Sequence, residues 1–158
     1  MCNVNEKDLV KGNHYIDACL KKYGKDNVII ICAEIENQIM ELETKERKYF
    51  MDETGIKNTG LDLLIKTGYK ILKLKTFFTS GMEETRAWTI PKKMIASRAA
   101  GIIHSDFEKG FIKAETISYE DFIFYRGYND AKNAGRLRLE GKDYIVQDGD
   151  ILLFRFNT

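Results

Sequence analysis

The chain has 158 residues, 44% of them hydrophobic and 31% charged; this fits one ordinary domain or two small ones and excludes wholesale disorder. With 25 Lys and Arg against 24 Asp and Glu the formal charge is +1. No global field draws such a chain to nucleic acid or to an anionic membrane, so any such binding requires a local patch. No apolar run reaches the roughly 18 residues needed to span a bilayer. Met1-Cys2-Asn3-Val4-Asn5-Glu6 lacks the apolar core of a secretory signal. Cys2, Cys19 and Cys32 are odd in number and form no CxxC, which reads as reduced thiols in a cytoplasmic protein. His14 and His104 are the only histidines, so a conventional zinc site has few ligands and no metal is expected.

The pattern changes near residues 72–74, which divides the chain into 1–73 and 74–158. Residues 73–158 hold 14 Lys/Arg and 12 Asp/Glu, leaving 11 and 12 for residues 1–72, so charge does not distinguish the halves. In the first half Asn13 caps a helix with Tyr15, Ile16, Cys19, Leu20 and Tyr23 at helical spacing, and Gly24 ends it. The run Asn27 to Ala33 is continuously apolar and β-branched, which predicts a strand covered on both faces. Glu34 to Met51 is charged and helical, with Glu41/Lys45 and Glu43/Arg47 at i,i+4 and Thr44 able to restart a second helix. Thr59-Gly60-Leu61-Asp62 resembles a capping box opening a helix with Leu61, Leu64, Ile65 and Leu72 on one stripe. Helix, strand, helix is the order of a doubly wound α/β piece.

In the second half Lys75 to Ser80 and Thr85 to Ile90 read as strands, Gly81-Met82-Glu83-Glu84 as their turn, and Pro91 as the stop. Ala96, Ala99, Ala100 and Ile103 form the inner stripe of a short helix. Gly110 to Ile117 alternates as a strand, and Ser118-Tyr119-Glu120-Asp121 is a second capping box leading into Phe122 and Ile123. Asn129 to Gly135 is a short polar helix. Asp148-Gly149 between Tyr144–Val146 and Ile151–Phe156 predicts a hairpin. Strands, a crossing helix and more strands predict an α+β module of β-grasp type. Its expected core is Phe77, Trp88, Ile103, Ile112, Phe122, Ile145 and Phe154.

Three runs carry a resemblance. They are Arg86-Ala87-Trp88-Thr89-Ile90-Pro91, the stretch from Ala99 through Ile103-His104-Ser105-Asp106-Phe107-Glu108-Lys109-Gly110-Phe111 to Glu115, and Asp143 to Asp150. Together they resemble the C-terminal TGS domain of the Obg-like ATPase family, usually called YchF. The resemblance is dense from about Leu74 onward and continues more weakly to residue 1. It implies a ubiquitin-like β-grasp TGS domain over 74–158. It also implies that 1–73 holds the last helix–strand–helix elements of a P-loop α/β nucleotide-binding domain. On this resemblance Asn3, Val4 and Glu6 look like the family's NxxE base-recognition motif. Cys32 and Ala33 look like the following SAK-type base contact, with Cys32 in place of Ser and Glu34 in place of Lys. That departure preserves a backbone contact at Ala33 and weakens the side-chain contacts.

The family implied is a nucleotide hydrolase that takes ATP, or GTP, with Mg²⁺, and partners the ribosome. No GxxxxGK[ST] occurs in these residues, so no glycine-rich loop, lysine or Mg²⁺-holding hydroxyl is here to position phosphates. The expectation is the C-terminal portion of a YchF-type protein, with no cofactor of its own and no catalytic residues. Such a portion binds a nucleotide only if the first half folds. Its expected partner is ribosomal RNA or the ribosome, not a membrane. Arg86, Lys92, Lys93, Arg98, Lys109, Lys113, Arg136 and Arg138 are the candidate RNA contacts, with Trp88 and Phe107 as stacking faces. A protein–protein interaction module and a competent hydrolase are the alternatives. His104, Asp106 and Glu108 read as surface hydrogen-bonding residues, because no nucleophile accompanies them.

Overall fold

The structure, a computed structural model, describes residues 1–81 and 84–157. Met82 and Glu83, expected in the turn of the second half, lie outside the described residues. The chain divides into two compact units, Met1–Ile71 and Leu72–Thr158.

In the first unit β1 (Cys2–Asn3) leads into α1 (Glu6–Lys11), whose N-cap Asn5 accepts the N–H of Asp8 at 2.9 Å. Asn13 caps α2 (His14–Tyr23) by accepting the N–H of Ile16 at 2.9 Å, and Gly24, at φ 80°, closes it. A 3₁₀ turn at Lys25–Asn27 precedes β2 (Ile30–Ile31), which pairs parallel with β1 in the register Cys2↔Ile30 and Asn3↔Ile31. Then come α3 (Ala33–Glu41), α4 (Thr44–Thr54) and α5 (Gly60–Ile71). The Thr59 hydroxyl accepts the N–H of Asp62 at 3.1 Å while the Asp62 carboxylate accepts that of Thr59 at 3.4 Å, so the capping box is reciprocal. The Glu36 carboxylate also takes the N–H of Gly60 at 2.6 Å, tying α5 to α3.

Three expectations for this unit change. The apolar run Asn27 to Ala33 yields only two strand residues, because β1 offers a partner ladder of two residues and Ala33 already opens α3. Arg47 does not act as the i,i+4 partner of Glu43. It turns back and donates to the carbonyls of Ile39 (3.0 Å), Met40 (3.3 Å) and Leu42 (3.3 Å), satisfying the open end of α3. On α5, Leu61, Leu64 and Ile65 remain 55%, 45% and 51% exposed. The unit's core is instead Cys32, Ile35 and Ile39, packed by Leu9, Phe50, Met51 and Ile56.

The second unit contains β3 (Leu74–Ser80), β4 (Thr85–Pro91), α6 (Ala96–Ile103), α7 (Ser105–Lys109), β5 (Phe111–Ile117), α8 (Tyr119–Phe124), α9 (Tyr128–Asn133), β6 (Arg138–Glu140) and β7 (Ile151–Phe156). Its five-stranded mixed sheet has the order β4-β3-β7-β5-β6, with β7 parallel to β3 and antiparallel to β5. That order, with α6 crossing between the first hairpin and β5, is the β-grasp arrangement, and the chain is α+β.

The Asp-Gly signal marks a turn but not a hairpin. The Asp150 N–H does reach the Gln147 carbonyl at 3.3 Å. However, Gly149 donates to the Thr76 carbonyl (2.8 Å) and Asp148 accepts the Thr76 N–H (2.8 Å), so the turn is sewn to β3. It therefore feeds β7 into the slot between β3 and β5. Tyr144–Val146 runs beside Met94–Ala96 instead, with the Val146 N–H on the Met94 carbonyl (3.1 Å) and Ile145 bridged to Ile95. Gly149 sits at φ 82°, where a side chain would be strained.

One face of the sheet buries Phe77, Ile90, Ala114, Leu152 and Phe154 against Ala96, Ala99, Ala100 and Val146. Phe78, Ile117 and Ile151, on the alternate face, pack with Ala131 and Phe122. Two expected core residues are displaced. Ile112 falls in a register shift between Phe111 and Lys113 and is 52% exposed, and Ile145 turns out while Val146 turns in. Phe77→Ala is therefore expected to lower stability by about 3–5 kcal/mol and Ile112→Ala by less than about 1 kcal/mol in urea unfolding. Equal costs would contradict this assignment of the core.

Candidate functional site

Parallel strands gather ligand-binding groups at their C-terminal ends, where each strand turns into a helix. In the first unit β1 ends at Asn3 before α1, and β2 ends at Ile31 before α3. The Val4 N–H donates to the Ile31 carbonyl at 2.8 Å, which aligns the two ends. Asn3 Oδ1 then accepts the N–H of Ala33 at 3.0 Å, across a sequence separation of 30 residues. The structure thus brings Asn3 and Val4 together with Cys32 and Ala33. Cys32 is buried, Ala33 opens α3, and Glu6 is an exposed residue in the first turn of α1. Beside them Cys2 faces Cys19. Burial first, and then the Cys19 thiol bonded to it, push the Cys2 thiol above its ordinary value.

A cavity of about 740 Å³ opens behind this point, lined by Glu6, Ile30, Ile31, Ile35, Gly60 and Leu63 among others. Among the described residues its walls are mostly apolar, with the carboxylates of Glu6 and Glu36 and one cation, Lys57, which is not a set of cations for phosphates. Among the described residues no group of three or more His, Cys, Asp and Glu is placed to hold a metal.

The basic candidates of the second unit lie in several places. Arg86 covers the Trp88 ring at 4.3 Å from its centroid. Arg98 Nε pairs with Glu108 at 3.3 Å, Lys109 with Asp106 at 3.7 Å, and Arg136 Nε with Asp121 at 3.7 Å. Arg138 bonds Glu140 (3.4 Å) and the buried Asp150 (3.2 Å). Lys113 belongs to β5, and Lys92 and Lys93 follow β4. The eight do not form one patch. The two aromatic rings are also engaged internally: Trp88 lies between Phe77 and Arg86 and donates to Thr79 at 2.9 Å, while Phe107 stacks on Phe156 at 3.9 Å. His104 Nδ1 accepts the N–H of Asp106 at 3.2 Å, so it caps α7.

Two polar networks, one around the buried Asp150 and one around the half-buried Glu115, escaped sequence reading, because their members come from different elements. Asp150 accepts from the Tyr144 hydroxyl (2.8 Å), the Gln147 N–H (2.7 Å) and Arg138 (3.2 Å). Burial, and then the bond to Asp150, push the Tyr144 phenol up to about 12. Lys75, buried on β3, donates to the Val146 carbonyl. Burial lowers its ammonium below the ordinary lysine value, opposed by the carboxylates of Asp150 and Asp148. On the other sheet face Arg155 grips Glu115 through Nε (3.0 Å) and Nη2 (3.1 Å), and the Tyr128 hydroxyl donates to the same carboxylate. The Arg155 bonds are the main cause holding Glu115 below the usual carboxylate range.

Comparison with known proteins follows the same division. The family profile YchF-GTPase_C, described as "Protein of unknown function (DUF933)", matches residues 74–157. The "Ribosome-binding ATPase YchF" of Escherichia coli O157:H7 is 51% identical over 160 residues, covering 100% of this chain and 44% of that protein. The protein of the same name from Bacillus subtilis (strain 168) is 50% identical over 163 residues, with the same coverage. This chain therefore spans less than half the length of these curated relatives. The structure of the Schizosaccharomyces pombe YchF GTPase superposes with a TM-score of 0.83 at 32% identity, over 97% of this chain and 42% of that one. A GTP binding protein from Pyrococcus horikoshii OT3 shares the fold, with a TM-score of 0.62 at 19% identity over 97% and 44% of the two chains.

The Glu115 contact has a sign that can be checked. A carboxylate held low stabilises the fold fully above its unfolded value of about 4.3, and that stabilisation is lost as the pH falls through the folded value. Arg155→Met is expected to raise the Glu115 midpoint in a carboxyl NMR titration. A midpoint that does not move would show that Arg155 is not the cause.

Proposed function

Because this chain belongs to the YchF family and carries its C-terminal domain, we propose that it is a ribosome-binding module of that family and that its second unit, a TGS domain over residues 74–158, makes the contact through RNA. The observation that carries this reading is the half-identical match, over the whole chain, to relatives named for ribosome binding. The geometry is compatible with it. The β-grasp unit has its own core and presents Arg86, Lys92, Lys93, Arg98, Lys109, Arg136 and Arg138 at the surface. A cytoplasmic location accompanies this reading. No helix among the described residues is long and apolar enough to cross a membrane.

Residues 1–73, which contain the first unit, are read as the closing part of a P-loop nucleotide domain. Asn3, Val4, Glu6, Cys32 and Ala33 fit the base end of a nucleotide, since the Asn3–Ala33 bond fixes the two recognition segments side by side. The residues of this chain do not fit the phosphates or Mg²⁺. No phosphate loop occurs in the sequence, and among the described residues the cavity beside the base segment offers a single cation, Lys57, against Glu6 and Glu36. Phosphoryl transfer depends on positioning and charge stabilisation at the phosphates, so no hydrolytic step is assigned to these residues.

Two measurements test these readings. Co-sedimentation with ribosomes is expected to show binding that weakens steeply between 50 and 200 mM salt, by about ten-fold or more if several phosphates are contacted. Salt-insensitive binding would favour a protein–protein module. In an equilibrium titration with ATP, Asn3→Ala is expected to abolish whatever binding the unaltered chain shows. Retention of that binding would remove Asn3 from the base site.

A further inference from the structure

Resting on the ribosome-binding reading, we propose that the phosphate backbone of ribosomal RNA engages a lysine cluster, Lys73, Lys92 and Lys93, at the end of the β3–β4 hairpin remote from its turn. Lys73 stands one residue before β3 and Lys92 one residue after β4. They flank the last pair of the ladder, Leu74↔Pro91. The Lys73 carbonyl accepts the Lys92 N–H at 2.8 Å, so a hydrogen bond links the backbones of the two cationic residues. Two cations on neighbouring backbone positions with no carboxylate partner gain nothing from each other, whereas an anion can engage both. Lys73 also adopts φ 54°, an uncommon conformation for a residue with a side chain.

Lys93 adjoins the pair, and all three side chains are exposed. None of the three forms an ion pair among the described residues. Lys75, two residues after Lys73, is instead buried, and its ammonium donates to the Val146 carbonyl. The nearby carboxylates have other bonds: Asp148 accepts the Thr76 N–H and Asp150 holds Tyr144, Gln147 and Arg138. Arg98, Lys109, Arg136 and Arg138 each already pair with a carboxylate. A phosphate approaching one of those must compete with a bonded anion, whereas none of the three lysines is already held by a carboxylate among the described residues. Ammonium groups on flexible stems act as point charges, which suits backbone phosphates and not the edges of bases. The contact is thus one of position and charge, without sequence reading.

The test uses the full chain with purified ribosomes and with protein-free ribosomal RNA, each across a salt series. Lys73→Glu with Lys92→Glu and Lys93→Glu is expected to weaken both interactions at least about ten-fold and to lower the log–log salt slope by about two. The neutral triple change to Gln should act in the same direction, which guards against a folding defect from charge reversal; circular dichroism checks the fold of each. A variant of equal charge change elsewhere, Lys45→Glu with Arg126→Glu and Lys132→Glu, should retain the binding of the unaltered chain. Undiminished binding by both lysine-cluster triples would overturn the inference and leave ribosome binding intact. Binding to ribosomes but not to protein-free RNA would overturn it in favour of an acidic protein face. No binding by the unaltered chain would overturn the ribosome reading and this inference with it.

Discussion

The last strand of the second unit lies in the middle of its sheet, and the unit is organised around that placement. β7 pairs with β5 from Phe111↔Phe156 to Ile117↔Ile151 and touches β3 at Phe78↔Ile151. Its alternating side chains close both packed faces: Leu152 and Phe154 point to the α6 side, and Ile151 points to the cluster with Phe78 and Ile117. Bringing the chain end into this slot requires a firm guide, and the turn Gln147–Asp150 provides it. Asp148 and Gly149 bond Thr76 on β3, while Asp150 gathers Tyr144, Arg138 and the Gln147 N–H. A buried carboxylate is tolerated only when such donors surround it. Close approach at the other end of the strand explains Gly110: a Cβ there would collide with the Asn157 backbone.

The first unit has a different economy. Its sheet is two strands of two residues, so the strands contribute little by themselves. Side-chain bonds do the joining: Asn3 to the start of α3, Glu36 to the start of α5, and Arg47 to the end of α3. The first of these bonds also sets the end of β1 beside the start of α3. The apolar stripe of α5 remains open.

Charge in the second unit is sorted by pairing and not by abundance. Most of its arginines are bound to carboxylates or lie over aromatic rings, where they fasten one element to another. The lysines beyond the ends of β3 and β4 have no such bonds among the described residues, and a backbone hydrogen bond links two of them, Lys73 and Lys92. A chain with a formal charge of +1 can thus present a local cationic surface without being basic overall.

Local signals in the sequence determined the helix starts. Asn13, Thr59 and Ser118 cap where they were expected to, because a cap is made by residues three apart. The first hairpin, the alanine stripe of α6 and the family resemblance were also legible, since each is a property of contiguous residues. The placement of the last strand was not, because Asp148-Gly149 is equally consistent with a hairpin until Thr76 takes its hydrogen bonds. The core positions Ile112 and Ile145 were misjudged for a related reason: a register shift and a neighbouring segment decide which way a β-branched side chain faces. For the candidate sites the sequence supplied Asn3, Ala33 and the basic residues as types. Only the tertiary structure decided that Asn3 reaches Ala33, that four of the basic residues are already paired, and that the backbones of Lys73 and Lys92 are bonded. Those facts depend on partners far apart in the chain, and it is the fold that sets the distances between them.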